Sequence, residues 1–118
     1  MRVGNMLVAS YELYRINRPD LSNEVTLYIN PTEVMIHDYS IGDDCERFFG
    51  RDEHEYRVWV GSEGAARIIE YLSLPESSHP LEDLGLWLLK EFKDDGCAAS
   101  SFKELAEKAG VEPGVFVW

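Results

Sequence analysis

Residues 24–37 read Glu24-Val25-Thr26-Leu27-Tyr28-Ile29-Asn30-Pro31-Thr32-Glu33-Val34-Met35-Ile36-His37, and they decide the fold. Apolar and more polar residues alternate from 24 to 29, which is the pattern of a strand that buries one face. Pro31 follows Asn30 at the position that a type I turn favours. The alternation resumes at residue 34. This stretch therefore predicts an antiparallel hairpin whose two strands both bury one side.

Three further segments have the composition of strands. Residues 6–16 are rich in apolar and aromatic side chains and lack Gly and Pro. Residues 55–60 alternate, with Trp59 on the side opposite Val58 and Val60. Residues 115–118 follow a Glu-Pro-Gly turn signal at 112–114. Together with the hairpin, these segments predict an antiparallel sheet of four to five strands.

Helical spacing dominates the remaining chain. Ser62 is a candidate N-cap for a helix that extends to residue 72. Pro80 suits the first turn of a leucine-rich helix that Gly96 would close. A capping box at 101–104 predicts a third, short helix. The prediction is one α+β domain over residues 1–118, with two to three helices packed on one face of the sheet.

The net charge of −11 restricts the partners that the chain can bind. A strongly acidic surface repels nucleic acid and anionic membranes and attracts basic surfaces. The two cysteines, Cys45 and Cys97, form no zinc-type ligand set, and reduced thiols are expected. The first residues lack the apolar core of a signal peptide. We therefore expect a cytoplasmic protein that uses no metal and no cofactor.

Much of this charge lies in an acidic segment, residues 37–56, which carries seven acidic residues and two arginines. It is the longest break between the predicted strands and helices, and long connections are often functional. Its carboxylates do not have the spacing of a calcium-binding EF-hand loop. Two interpretations stay open at this point: a solvated connection, or a docking surface for a basic partner. Phe48 and Phe49 would pin the segment to the core or anchor the partner.

The sequence contains few candidates for a catalytic motif. Cys45 lies between His37 and His54 in sequence, which suggests a thiol nucleophile beside a base. The acids around Cys45 oppose formation of the thiolate. The prediction is that the protein is not an enzyme. The alternative is a small ligand-binding or enzymatic domain with a pocket near these three residues, and a third possibility is a homo-oligomer joined through an exposed strand edge.

One resemblance supports the binding interpretation. The run from Phe49 to Val60, followed by an amphipathic helix, a leucine-rich helix, a closing Phe102-x-x-x-Ala106-x-x-x-Gly110-Val111 and Trp118, resembles small acidic bacterial proteins of the toxin-immunity type. The resemblance covers about half of the chain and carries over no functional residue. It implies an immunity or inhibitor protein that masks a basic partner such as a toxin. The residues expected to bind that partner are Asp43, Asp44, Glu46, Phe48, Phe49, Asp52, Glu53 and Trp59.

Overall fold

The main feature of the fold is a five-stranded antiparallel sheet in which the strand order follows the chain order. The computed structural model describes residues 1–4, 6–43, 47 and 50–118. A two-stranded hairpin, β1 (Arg2–Val3) and β2 (Met6–Leu7), precedes the main sheet. The sheet consists of β3 (Ala9–Arg18), β4 (Leu21–Ile29), β5 (Val34–Ile41), β6 (Glu53–Val60) and β7 (Gly114–Val117).

Three helices lie between β6 and β7 in the chain, and they cover one side of the sheet. They are α1 (Ser62–Tyr71), α2 (Pro80–Glu91) and α3 (Ala98–Lys108). Helix α2 contacts β4 and β5, α3 contacts β5 and β6, and α1 packs against α2, α3 and β6. The α+β architecture with helices on the sheet is therefore confirmed.

The core lies between the helices and the sheet, as the alternation in residues 24–37 predicts. Val25, Leu27 and Ile29 of β4 are buried, as are Val34 and Ile36 of β5. The helices contribute apolar residues at helical spacing, namely Ala65, Ile68, Ile69, Leu81, Leu84, Leu88, Phe102 and Ala106. Apolar burial on this side supplies most of the driving force for folding.

Glycine allows α2 to approach the sheet closely. Gly85 is buried in the middle of α2. A Cβ atom at this position would overlap the side chain of Ile29 on β4. The missing side chain therefore sets the distance between helix and sheet, although glycine is a poor residue for a helix interior.

The structure corrects three boundaries. Gly61 is the N-cap of α1 and Ser62 is its first residue. Helix α2 ends at Glu91, before Gly96. Helix α3 begins at Ala98, so Ser101 lies inside the helix and caps nothing. The predicted first strand is also divided, because Val8 separates β2 from β3.

The predicted extent of the acidic segment changes more, because both of its ends belong to strands. Residues 38–41 belong to β5 and residues 53–55 belong to β6, and the two strands pair from Ile41 and Glu53 onward. The connection between them is therefore residues 42–52. It starts at Gly42, where φ is +136° and a side chain would collide with the backbone oxygen of Asp20. Glycine suits such a positive φ because it has no Cβ atom.

Candidate functional site: the open face of the sheet

The side of the sheet that faces away from the helices carries a mixture of aromatic and charged residues. Cross-strand neighbours in an antiparallel sheet project to the same side, so the register identifies this surface. We call it the open face, and its principal residues are Glu12, Arg15, Glu24, Tyr28, Met35, His37, Tyr39, Glu53, Glu55, Arg57, Trp59 and Phe116.

One row of the open face runs across the four strands from β4 to β7. Tyr28, Met35, Trp59 and Gly114 are successive cross-strand partners. A Cβ atom at position 114 would overlap the indole ring of Trp59. The ring of Trp59 therefore lies over Gly114, and a broad apolar surface extends onto the edge strand.

The next row places a histidine between two tyrosine rings. Thr26, His37, Arg57 and Phe116 are successive partners. The centre of the His37 ring lies 6.4 Å from that of Tyr28 and 6.3 Å from that of Tyr39. The guanidinium carbon of Arg57 lies 5.4 Å from the centre of the Phe116 ring, which is a cation–π distance.

Glu55 is the charged centre of this surface. Its Oε1 atom lies 2.9 Å from Nε2 of His37 and accepts a hydrogen bond of 2.6 Å from Nε of Arg57. Burial by itself would raise the pKa of Glu55, but the hydrogen bonds from Arg57 and His37 and their charges lower it below its usual value. Glu55 is therefore ionised at neutral pH and holds both partners in place.

Tyr39 connects this group to a second carboxylate. Burial raises the pKa of Tyr39, and the charge of Glu53 and a hydrogen bond to it raise that pKa further. The phenol therefore stays protonated and donates to Glu53. Hydrogen bonds therefore link Tyr39 to Glu53, and both His37 and Arg57 to Glu55, on the same face of the sheet.

The part of the open face on β3 and β4 carries a further cluster of charged side chains. Arg15 forms ion pairs with Glu12 and, at 3.1 Å, with Glu24. The principal residues of the open face thus carry four carboxylates, on residues 12, 24, 53 and 55, and two guanidinium groups, on residues 15 and 57, which is a net charge of −2 for this set. Most of these charged groups take part in ion pairs or hydrogen bonds on the surface.

The residues predicted to bind a partner are divided between two places. Glu53 and Trp59 lie on the open face, and Trp59 projects away from Val58 and Val60 as predicted. Asp43 and Asp52 are exposed in the connection between β5 and β6. The remaining predictions, for Asp44, Glu46, Phe48 and Phe49, fall outside the described residues.

The alternative interpretation predicts a pocket near His37, Cys45 and His54, but the structure does not bring the two histidines together. His37 pairs with Arg57 on the open face. His54 pairs with Ser40, whose side is that of Ile36 and the helices. The two rings therefore lie on opposite sides of the sheet, and Cys45 lies outside the described residues.

His54 instead belongs to a polar group on the helix side. Nδ2 of Asn23 donates to Oδ1 of Asp38 at 2.6 Å and to Oγ of Ser40 at 2.8 Å. Burial raises the pKa of Asp38, while the hydrogen bond from Asn23 and the charge of His54 act in the opposite direction. Asn23 satisfies the carboxylate, which indicates a structural role for this group.

Sequence reasoning missed Tyr28, Tyr39, Glu55 and Phe116 as site residues. Alternation in residues 24–29 and 55–60 did place Tyr28 and Glu55 opposite the buried positions. The missing information was that β7 adds to β6, which carries Phe116 beside Arg57. Pairing between strands that are distant in sequence leaves no local signal.

A depression beside α1 is also a candidate site, because Trp59 borders it as well. This depression, of about 480 Å³, lies beside the start of α1 and is lined by residues that include Trp59, Ser62, Glu63, Arg67 and Glu112. Neither His37 nor His54 lines it. Within the described part of the chain, no group of three or more His, Cys, Asp or Glu side chains is placed to hold a metal ion.

Among the residues that the structure describes, every helix is too short or too polar to cross a bilayer. Comparison of the chain with protein-family models, curated protein sequences and solved structures finds no match.

Proposed function

We propose that this protein is a non-enzymatic binding protein that masks a basic protein partner, in the manner of an immunity or inhibitor protein that blocks a toxin. The open face of the sheet would form the contact surface, and the exposed Asp43 and Asp52 would extend it. The observation that carries the proposal is the arrangement of half-buried aromatic rings and hydrogen-bonded carboxylates on the sheet face that none of the three described helices covers.

The aromatic residues supply the anchor. Tyr and Trp contribute a disproportionate share of the binding energy in protein interfaces, because each buries a large area at little conformational cost. Tyr28 and Trp59 are half-buried and lie in the same cross-strand row. They lose little side-chain freedom when a partner covers them, so much of the gain in apolar burial remains as affinity.

The carboxylates supply the selectivity for charge. Glu53 and Glu55 are ordered by Tyr39, His37 and Arg57 and do not need to reorganise. A partner whose Lys or Arg side chains reach these carboxylates gains charge-assisted hydrogen bonds, while an acidic surface is repelled. The net charge of −11 also accelerates the encounter with a basic protein.

The test uses the immobilised protein and a lysate of the source organism. Bound proteins are eluted with rising salt and identified by mass spectrometry. The Asp43→Asn, Asp52→Asn, Glu53→Gln triple variant removes three charges near the proposed contact. A matched control, Glu70→Gln, Glu76→Gln, Glu91→Gln, removes three exposed charges from the helices and their connections.

We expect the wild type and the control to retain the same basic protein, and the triple variant to release it at lower salt. With the purified partner, the association rate at low salt should fall about tenfold or more in the triple variant. Equal elution and equal association rates for the two variants would contradict the proposal.

A further inference from the structure

The outer edge of β7 is apolar, exposed and free of charged side chains. Val115 is 40% exposed, Phe116 43% and Val117 61%. The sequence of the strand is Gly-Val-Phe-Val, with Trp118 following it. An edge strand of this kind is a template for pairing with another strand, and natural proteins usually protect such edges.

The opposite edge of the same sheet has that protection. Strand β3 is interrupted by a bulge between Glu12 and Tyr14. The backbone oxygen of Leu13, in the bulge, accepts a hydrogen bond of 2.6 Å from the backbone N–H of Asp94. Charged residues such as Arg15 and Arg18 also occupy β3. Bulges, charges and covering loops all oppose edge-to-edge association, so the two edges of the sheet differ sharply.

The backbone of β7 has donors and acceptors directed outward. Trp118 and Glu55 exchange both backbone hydrogen bonds, at 2.8 and 2.9 Å. Because bonding alternates along an antiparallel strand, Phe116 also directs its backbone groups toward β6. The N–H and C=O groups of Val115 and Val117 therefore point away from the sheet.

We propose that a second copy of this chain pairs with that edge, so that two β7 strands run antiparallel about a two-fold axis at Phe116. In this register, Val115 lies opposite Val117 of the second copy, and four backbone hydrogen bonds form. The two Phe116 side chains meet on the axis. The five-stranded sheets join into one sheet of ten strands.

Self-pairing suits this edge for geometric reasons. The register is its own complement, which an isologous two-fold contact requires. It keeps the side chains of opposing residues on the same side of the joined sheet, so the two open faces form one continuous surface. Val115 and Val117 meet the corresponding valines on the helix side, where their exposed apolar area becomes buried.

The local charge also favours this edge over the opposite edge at β3. A protein of net charge −11 repels its own copies, and that repulsion is smallest where the contact carries no acid. Arg57, the charged residue that stacks on Phe116, is paired with Glu55, so the residues nearest the proposed axis carry little net charge. The guanidinium carbon of Arg51 lies 4.8 Å from the ring centre of Trp118, and Arg57 lies over Phe116.

The effect of salt separates this inference from the proposed function. Salt screens the mutual repulsion of two acidic copies, so dimerisation should strengthen as salt rises. Binding of a basic partner should instead weaken as salt rises. Failure of one proposal would therefore leave the other unaffected.

The first test is sedimentation of the purified full chain over a concentration series at low and high salt. We expect a concentration-dependent dimer that is stronger at high salt. Val117→Lys should weaken the dimer at least about tenfold, because a charged lysine at the edge opposes pairing with another strand. Leu86→Lys is the matched control, since it replaces an exposed apolar residue of α2 with the same charge and should leave the dimer intact.

A second test examines the register in a background with Cys45→Ser and Cys97→Ser. Directly opposed residues of a non-hydrogen-bonded antiparallel pair have Cα atoms about 4.5 Å apart, within the range for a disulfide. Phe116→Cys should therefore give a covalent dimer under mild oxidation, whereas Val115→Cys should give little. Circular dichroism of each variant confirms that it folds.

A strictly monomeric wild type at every concentration and salt would overturn the inference. Equal dimerisation of the Val117→Lys and Leu86→Lys variants would also overturn it, since the contact would then lie elsewhere. If wild type stays monomeric but a separate peptide adds to β7, the edge recruits a different chain and self-pairing is again excluded.

Discussion

The pKa values of Asp38 and Glu55 are shifted in opposite directions on the two sides of the sheet. Asp38 follows the buried residues Val34 and Ile36 on the helix side of β5, where a carboxylate loses much of its hydration. The hydrogen bond from Asn23 compensates only in part, because burial still raises the pKa of Asp38. On the open face, the hydrogen bonds of Glu55 outweigh burial and its pKa falls.

The raised pKa of Asp38 predicts a pH-dependent effect of substitution. The folded protein holds a proton on Asp38 more tightly than the unfolded chain does, so this group lowers stability as pH rises through the raised pKa. Asp38→Asn carries no charge at any pH, and its Oδ1 atom can still accept from Asn23. The variant should therefore gain stability relative to wild type between pH 3 and pH 7.

Chemical unfolding at the two pH values measures this difference. Asp43→Asn, at an exposed position in the connection after β5, is the control for the loss of one negative charge. A stability difference between wild type and Asp38→Asn that stays constant or shrinks toward neutral pH would show that burial does not govern Asp38.

At the scale of secondary structure elements, Gly85 allows α2 to pack closely on Ile29 of β4. Replacing an exposed glycine in a helix with alanine usually stabilises the protein by about 0.5–1 kcal/mol. Gly85→Ala should have the opposite sign and cost about 1–3 kcal/mol, because the new methyl group overlaps Ile29.

A double-mutant cycle tests that explanation. Ile29→Ala removes both Cδ1 and Cγ1, the two atoms that the alanine methyl at residue 85 would strike. The cost of Gly85→Ala should therefore be smaller in the Ile29→Ala background, and the two substitutions should not be additive. Additive effects on the free energy of unfolding would mean that the two side chains do not meet.

Regular alternation allowed most of the sheet to be predicted. Every second side chain is buried in residues 24–29 and 34–37 and is buried or half-buried in residues 55–60, and the structure confirms strands there. The ends of β5 and β6 were missed because Asp38, Ser40 and His54 stand at positions where the alternation would place apolar residues. Backbone pairing extends the strands through these polar residues, and composition does not reveal it.

The helix boundaries were missed for a related reason. The sequence from Ser101 to Glu104 matches a capping box, but Ala98 and Ala99 are buried one turn earlier and the helix begins at Ala98. Tertiary packing outweighed the local signal. The candidate site was predictable only within single strands, since neither the position of β7 nor the overlap of Trp59 with residue 114 follows from local sequence.

At the scale of the whole molecule, the two proposed contacts would use different surfaces. The open face is acidic and aromatic, and it suits a basic protein. The edge of β7 is apolar and lies beside arginines, and it suits a second copy of the chain. Dimerisation through β7 would place two open faces side by side and raise the avidity for a partner with repeated basic sites.

The central claim is that the open face, and not the helix side, contacts a basic protein. Photo-crosslinking in the source organism tests it most directly. A photoreactive phenylalanine analogue replaces Tyr28 on the open face or Tyr71, which is exposed on α1. Both substitutions exchange one aromatic ring for another, so their effects on folding should be similar.

The account predicts that the analogue at position 28 becomes covalently attached to a basic protein, and that the analogue at position 71 does not. The yield of attachment at position 28 should also fall when Glu53→Gln and Asp52→Asn are added. Crosslinks to a basic protein from position 71 alone, or crosslinks from position 28 only to acidic proteins, would contradict it.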